Sequence, residues 1–295
     1  MRTVFSQIVD KQFAGKTVKE FLAQKMLLSA SLIKKAKQTE NGILVNGEHK
    51  FVTHTLLEGD KVEVLIETEN ERSQNIPSCE IPLDKVYEDE HILIVDKSGN
   101  LPTHPSLNNY EKSLAGAVMN YFDKQGINFV FRAVNRLDKG TSGLMIIAKN
   151  AHIHELFKLQ LHTNEFVREY KALASGKIER DCTIDAPIMR EKESIIKRIV
   201  HPSGEKAVTH LTVQKVFEDK TLIKLRLETG RTHQIRVHLS HIGHALVGDF
   251  LYGEETDEIS RPALHSQRIE FIHPITREKM VFESDLPKDI LNLTN

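Results

Sequence analysis

Residues 134–144 read VNRLDKGTSGL and run straight into Met145-Ile146-Ile147-Ala148. Two glycines each cost a helix about 1 kcal/mol relative to alanine, and Asp, Thr and Ser favour caps and turns, so the polar stretch is expected to be a loop. The apolar run from Leu144 to Ala148 has the character of a buried strand. The chain must therefore fold so that a core strand holds a polar loop, and a loop held in this way is where sites are usually built. Within it Arg136 and Asp138 flank a single leucine, Leu137. Taken alone, the stretch would also suit a surface ion pair with glycines that merely turn the chain.

The chain of 295 residues is long enough for one large domain or two. A formal net charge of −1 argues against a protein that coats nucleic acid along its whole surface, but leaves room for a local basic face. Its two cysteines, Cys79 and Cys182, are too far apart for a zinc ribbon and too few for a disulfide framework, which suits a reducing cytoplasm. The start, MRTVFSQIVDKQF, has no apolar signal core, and no run approaches the roughly 20 apolar residues that span a bilayer. The expectation is a cytoplasmic protein with no membrane contact.

Thr17-Val18-Lys19-Glu20 fits a capping box, followed by Val18, Phe21, Leu22 and Met26 at helical spacing. Ser29 or Ser31 can cap a second helix through Leu32, Ile33 and Ala36, with Lys34, Lys35 and Lys37 on the rest of its surface and Gly42 at its C-terminal end. Asn46-Gly47 sits between two strand-like runs as a hairpin turn, and Gly59-Asp60 leads into the alternating strand Lys61-Val62-Glu63-Val64-Leu65. This small basic module, centred on LSASLIKKAKQTENGILVNGE, resembles the S4 RNA-binding module. That resemblance makes Lys34, Lys35 and Lys37 the natural phosphate contacts, which supply affinity and position rather than sequence choice.

The polar, aperiodic segment ETENERSQNIPSCE reads as a linker. The expected division is an N-terminal domain over 1–68, a linker over 69–81 and a catalytic domain over 82–295. In the larger part, strand-like runs at Ile92-Leu93-Ile94-Val95, Gly143 to Ala148 and Leu222 to Leu227 are interspersed with helical stretches such as His152 to Leu161. The expected fold class is α+β, with a mixed, mainly antiparallel sheet beside the small N-terminal unit.

A second polar concentration, LETGRTHQIRVHLSHIGHALVGDFLYG, spans 227–253. Thr232 is a plausible cap for a helix from His233 toward Ser240, which would place His233, Arg236 and Ser240 on one face and Arg231 at its start. The histidines His238, His241 and His244 invite a metal reading, but Ile242-Gly243 would end the helix before His244 could join the others, and no metal is expected. Lys139-Gly140-Thr141-Ser142-Gly143 lacks the phosphate-loop spacing, no GxGxxG opens a helix, and no GxSxG elbow supports a serine nucleophile. Asp138 is left as the outstanding candidate, a carboxylate of the kind that attacks sugar or base carbons.

Arg136-Leu137-Asp138 followed by Thr141-Ser142-Gly143, together with TGRTHQIRVHL and the later GD…YG at 248–253, resembles the RluA-type family of RNA pseudouridine synthases. VYEDEHILIVDKSGNLPTHPS, REYKALASG and LHSQRIEFIHP extend the likeness over most of the chain, in the family's order. The resemblance implies isomerisation of uridine to pseudouridine in RNA without a cofactor. It makes Asp138 the catalytic residue, Tyr170 the ring that packs against the target base and a candidate for late proton removal from C5, and Arg236 the partner of the aspartate. Arg136, Arg231, His233 and Gln234 become RNA contacts beside the three lysines. The implied substrate is RNA, ribosomal before transfer RNA, acted on by a monomer with no protein partner.

The chain departs from the family pattern in four places: Asn135 stands where histidine is usual, Ser98 where proline follows the lysine, Arg168 where lysine is common, and Ala245 where proline is common. Two other readings compete: an RNA-binding or assembly factor without essential catalysis, and a metal-dependent hydrolase built on the histidines.

Overall fold

The computed structural model describes residues 2–67, 72–106, 110–161 and 163–294. It opens with a strand that the sequence reading did not anticipate, β1 (Arg2–Ile8), which buries Thr3 and Phe5 on one face. Helix α1 (Val18–Gln24) begins at the Thr17/Glu20 capping box, and α2 (Ala30–Gln38) begins at Ser29, whose hydroxyl accepts from the Leu32 N–H. Gly42 is not the helix cap. The helix stops at Gln38, the left-handed residue is Asn41 at φ 52°, and Gly42 is a glycine because a Cβ there would lie 2.1 Å from the Ala36 carbonyl oxygen.

Asn46 and Gly47, both at positive φ, turn the hairpin of β2 (Ile43–Val45) and β3 (Glu48–His49), and β4 (Lys61–Glu67) pairs antiparallel with both β1 and β2. The result is a four-stranded antiparallel sheet in the order β1-β4-β2-β3 with two helices.

The expected linker begins among residues 68–71, outside the described residues. Its remainder is tied to the larger part of the chain. Arg72 pairs with Asp123, the Ser73 hydroxyl accepts from the Phe131 N–H at 2.9 Å, and the Cys79 N–H donates to the Gly116 carbonyl at 3.1 Å.

The larger part begins with β5 (Lys85–Glu88), β6 (Ile92–Lys97), α3 (Leu114–Asp123), β7 (Ser142–Ala148), α4 (Ala151–Gln160) and β8 (Val167–Ser175). It continues with β9 (Cys182–Asp185), the ribbon of β10 (Ile188–Arg190) and β11 (Arg198–Val200), β12 (Val208–Val216) and β13 (Lys220–Leu227). It ends with α5 (Gln234–His241), β14 (Leu264–Ile272), β15 (Lys279–Glu283) and α6 (Lys288–Leu291). The main sheet has the order β5-β6-β7-β14-β8-β13-β12-β9, with β15 on β14. Its pairings are antiparallel except for β7 with β14.

The unbroken apolar runs follow from burial on both sheet faces. Ile92, Ile94, Leu144, Ile146 and Ala148 point into one apolar cluster, while Leu93, Val95, Met145 and Ile147 point into the other. The first cluster also holds Phe5, Phe13 and Phe21 of the N-terminal unit, so the two sheets share one core. Phe5 lies at their seam, its ring 4.8 Å from His152 and 5.7 Å from His91.

Candidate active site

The loop between Val134 and Ser142 is held at several of its backbone carbonyls. Before it, Val134 and Ala148 donate N–H groups to Ile146 and Arg132, so the incoming chain runs alongside β7. Where the main chain then leaves, the Asn135 side chain continues the pairing, donating to the Leu144 carbonyl at 3.1 Å and accepting from the Ile146 N–H at 2.9 Å. The Leu137 carbonyl accepts from the Thr103 hydroxyl at 2.7 Å, and the Leu137 side chain is buried. The Lys139 carbonyl accepts from the buried ammonium of Lys97 at 3.3 Å, and the Gly140 carbonyl from Arg261 at 2.9 Å.

That framework accounts for an arginine and an aspartate astride one leucine. Leu137 is driven into the core, so its neighbours must turn outward: Arg136 is exposed, and Asp138 is half-buried with 30% of its side chain accessible. Gly143 is required, since its φ of 111° suits glycine and a Cβ would lie 2.3 Å from the Ser266 carbonyl oxygen on the adjoining strand.

Asp138 faces a cleft of about 640 Å³ whose wall includes Tyr170, His233 and Arg236. Its Oδ2 is 3.8 Å from Arg236 Nη1 and 3.9 Å from His233 Nε2. The tighter partner of Arg236 is Asp249, fully buried, which accepts from Nε at 2.7 Å and from Nη2 at 2.6 Å. This bidentate pair holds the guanidinium charged despite burial and fixes its plane. Asp249 Oδ1 also accepts from the Leu251 and Tyr252 N–H groups, so the GD…YG segment is the mount for Arg236. The sequence signal for Asp249 was present in that motif, but the pairing required two segments to meet in space.

Thr232 does not cap α5. The residue before the helix is His233, in the left-handed region at φ 57°, with no side-chain cap. Its Nδ1 lies 2.8 Å from the Tyr252 hydroxyl, which accepts from the Arg198 N–H and so has its own proton to donate. Burial holds the His233 imidazole below its ordinary range. Tyr170 is buried, and burial raises its phenol above the usual range.

The remaining candidates separate. Gln234 is buried and its amide is committed: it accepts from Thr229 Oγ1 and the Arg231 N–H, and donates to Val208 O and Thr209 Oγ1. Arg231 lines the rim of the cleft, paired with Glu205 and donating to the Lys206 carbonyl. Lys34 and Lys37 are exposed on α2, whereas Lys35 donates to the Glu67 carbonyl at 2.6 Å. His238 is buried between Thr209 and Ala186, and His244 lies against the Ser175 carbonyl. Among the described residues no group of three or more His, Cys, Asp or Glu side chains could hold a metal ion.

A carboxylate set on an anchored loop beside a fixed arginine, in a cleft large enough for a nucleotide, is the arrangement of an enzyme active site. The sequence profile of the RNA pseudouridylate synthase family matches residues 91–241. The uncharacterized RNA pseudouridine synthase YjbO of Bacillus subtilis is 40% identical over 278 residues, covering 94% of this chain and 98% of that protein. Ribosomal large subunit pseudouridine synthase D of Escherichia coli strain K12 is 37% identical over 268 residues, covering 85% and 81%. Among solved structures, human RNA pseudouridylate synthase domain containing 1 aligns at a TM-score of 0.57 with 25% identity, covering 73% of this chain and 86% of that one. The chain belongs to the RluA-type family of RNA pseudouridine synthases.

Proposed function

We propose that the protein isomerises specific uridines in large-subunit ribosomal RNA, with Asp138 as the reacting carboxylate. The placement of Asp138 carries the reading of the site: it is presented to the cleft by a loop anchored to the sheet, with a charged Arg236 3.8 Å away. Likeness to the large-subunit synthase over 85% of this chain favours the ribosomal target. The exposed Lys34 and Lys37 suit phosphate contacts by an S4-like N-terminal domain. The expected division at residues 69–81, a monomeric state and a cytoplasmic setting complete this reading.

The reaction breaks the N1–C1′ bond, turns the uracil and forms a C5–C1′ bond. The C5 proton is lost and N1 gains one, so atoms and charge balance without an oxidant or cofactor. The uridine must first leave its stack, at a cost of a few kcal/mol. Asp138 then adds either to the base or to C1′ and is released again as the product forms, with the Arg236 guanidinium 3.8 Å from its carboxylate throughout. Because burial favours the neutral phenol, Tyr170 can take the C5 proton only by passing its own proton on; packing against the base is its first role.

Purified protein and its Asp138→Asn variant, incubated with unmodified ribosomal RNA and bulk transfer RNA, test the reading when pseudouridine is mapped by chemical derivatisation and primer extension. New sites made in ribosomal RNA by the parent and not by the variant are expected. Sites confined to transfer RNA would overturn the substrate, and sites made equally by the variant would overturn the role of Asp138.

A further inference from the structure

One wall of the cleft holds a charge that the isomerisation leaves unused. Arg168 lies on β8 two residues before Tyr170, so both side chains leave the same face of the strand, and both line the cleft. Arg168 is only 8% exposed, yet among the described residues its Nε is sealed from solvent with no hydrogen-bond acceptor. Its guanidinium lies over the Phe166 ring, 5.8 Å from the centroid, a cation–π contact that attracts the charge but offers no acceptor oxygen.

The acids that could neutralise it are engaged elsewhere. Glu169 faces Lys224 and Arg268, Glu228 faces His210, and Asp138 faces Arg236 and His233. Nor is the arginine there by default. A Cβ on Gly230 would stand 2.8 Å from Arg168 Nη1, so the Thr229-Gly230-Arg231 turn is cut back to the backbone where the guanidinium passes. The fold makes room for a cation and, among the described residues, sets no acid against it.

Buried charges are ordinarily paired, and a guanidinium that lines the cleft without an acid beside it calls for a partner that enters the cleft. That partner must be anionic, must offer several acceptor oxygens to a planar fork of donors, and must come within reach of the wall that also carries Tyr170. A backbone phosphodiester of the RNA meets all three demands. Resting on the pseudouridine synthase reading, we propose that Arg168 anchors a backbone phosphodiester next to the uridine held in the cleft. The chemistry gives such an anchor a purpose. Between bond cleavage and re-formation the uracil turns, and the sugar must keep C1′ in place; a phosphate gripped on the cleft wall holds that sugar while the base moves.

The test compares the parent with Arg168→Gln and Arg168→Lys. The first measurement is thermal unfolding without RNA; the second is binding of single-stranded oligouridylate across a range of salt; the third is single-turnover pseudouridine formation. Arg168→Gln is expected to melt at or above the parent's temperature, because it removes a buried charge that no acid among the described residues neutralises. Its plot of log affinity against log salt should be shallower by about 0.7, the contribution of one single-strand phosphate contact. Binding at low salt should weaken on the order of 10-fold, as for one charge-assisted contact. Arg168→Lys should restore the slope while turning over more slowly, since a point charge cannot fix the phosphate plane. A salt slope equal to the parent's, or an Arg168→Gln protein that fails to fold, would overturn the proposal. Neither binding nor melting requires turnover, so a parent that makes no pseudouridine in any RNA would sink the enzymatic reading separately.

Discussion

Arg236 and Asp249 form a bidentate ion pair at 2.6 and 2.7 Å inside the protein, while the carboxylate that shares the cleft with Arg236, Asp138, stands 3.8 Å away. The resemblance led us to expect the arginine to pair with Asp138. The buried acid that holds it instead leaves the Asp138 oxygens uncommitted to a direct hydrogen bond with the guanidinium. Asp249 orients the arginine, the arginine supplies positive potential, and Asp138 remains open toward the cleft.

Removing Asp249 should therefore harm both fold and chemistry. Asp249→Asn leaves the Arg236 guanidinium buried with a neutral partner, and breaking such a pair from one side costs about 3–5 kcal/mol. Replacing both residues with apolar ones of similar volume should recover much of that stability in chemical denaturation, with a coupling energy of roughly 1–3 kcal/mol in the double-mutant cycle. Pseudouridine formation should not recover, because the positive charge near Asp138 is gone. Recovery of activity in the double variant would show that Arg236 serves only the fold.

The seam between the two sheets should be sensitive to acid. His152 is 3% exposed, packed edge-on against Phe5, and burial pushes its imidazole down to about 4 from 6.5. The sign follows from linkage: between these values the unfolded chain binds a proton that the folded chain refuses, so stability falls as pH drops. The contribution is intact above about pH 6.5 and lost progressively toward pH 4, by up to roughly 3 kcal/mol. Urea denaturation at a series of pH values should show His152→Leu with a flatter acid limb than the parent. An unchanged limb would mean that other groups govern the acid response.

Local signals were legible wherever a structure is made by neighbours in the chain. The Thr17 capping box, the Asn46-Gly47 hairpin and the doubly buried run of β7 can each be read from a few consecutive residues, because caps, turns and alternation act over that range. Asp138 was legible by its company in the loop, and the fold class by its interspersed strands and helices. What escaped depends on segments that meet only after folding. Asp249 is separated from Arg236 by 13 residues and a turn, and the carbonyls of the 134–144 loop are held by Thr103, Lys97 and Arg261 from distant elements. Gln234 looks like an RNA contact because its motif is polar, yet four partners drawn from two segments turn it inward. The left-handed His233 displaced the Thr232 cap for the same reason: its contact with Tyr252 lies outside the helix that the local rule describes.

Asn135 lines the cleft, but its side-chain hydrogen bonds run to β7, so it offers a test of loop placement. Its amide donates to Leu144 and accepts from Ile146, imitating one more rung of main-chain pairing at the point where the loop departs. Asn135→Ala removes both bonds and leaves a buried N–H and a weakened carbonyl contact, at a cost of about 2–4 kcal/mol. A shift of 1 Å in the loop can cost on the order of 100-fold in rate, so kcat should fall by about that much. KM should change little, since Arg136 and the other proposed RNA contacts are untouched. Asn135→His can supply one ring N–H and one ring acceptor in their place, and it should retain more activity than the alanine variant because the loop still has a rung to leave from. The kcat and KM of both variants, set beside their urea midpoints, decide the matter. A stable alanine variant with the parent's kcat would show that the Thr103, Lys97 and Arg261 contacts suffice to place Asp138.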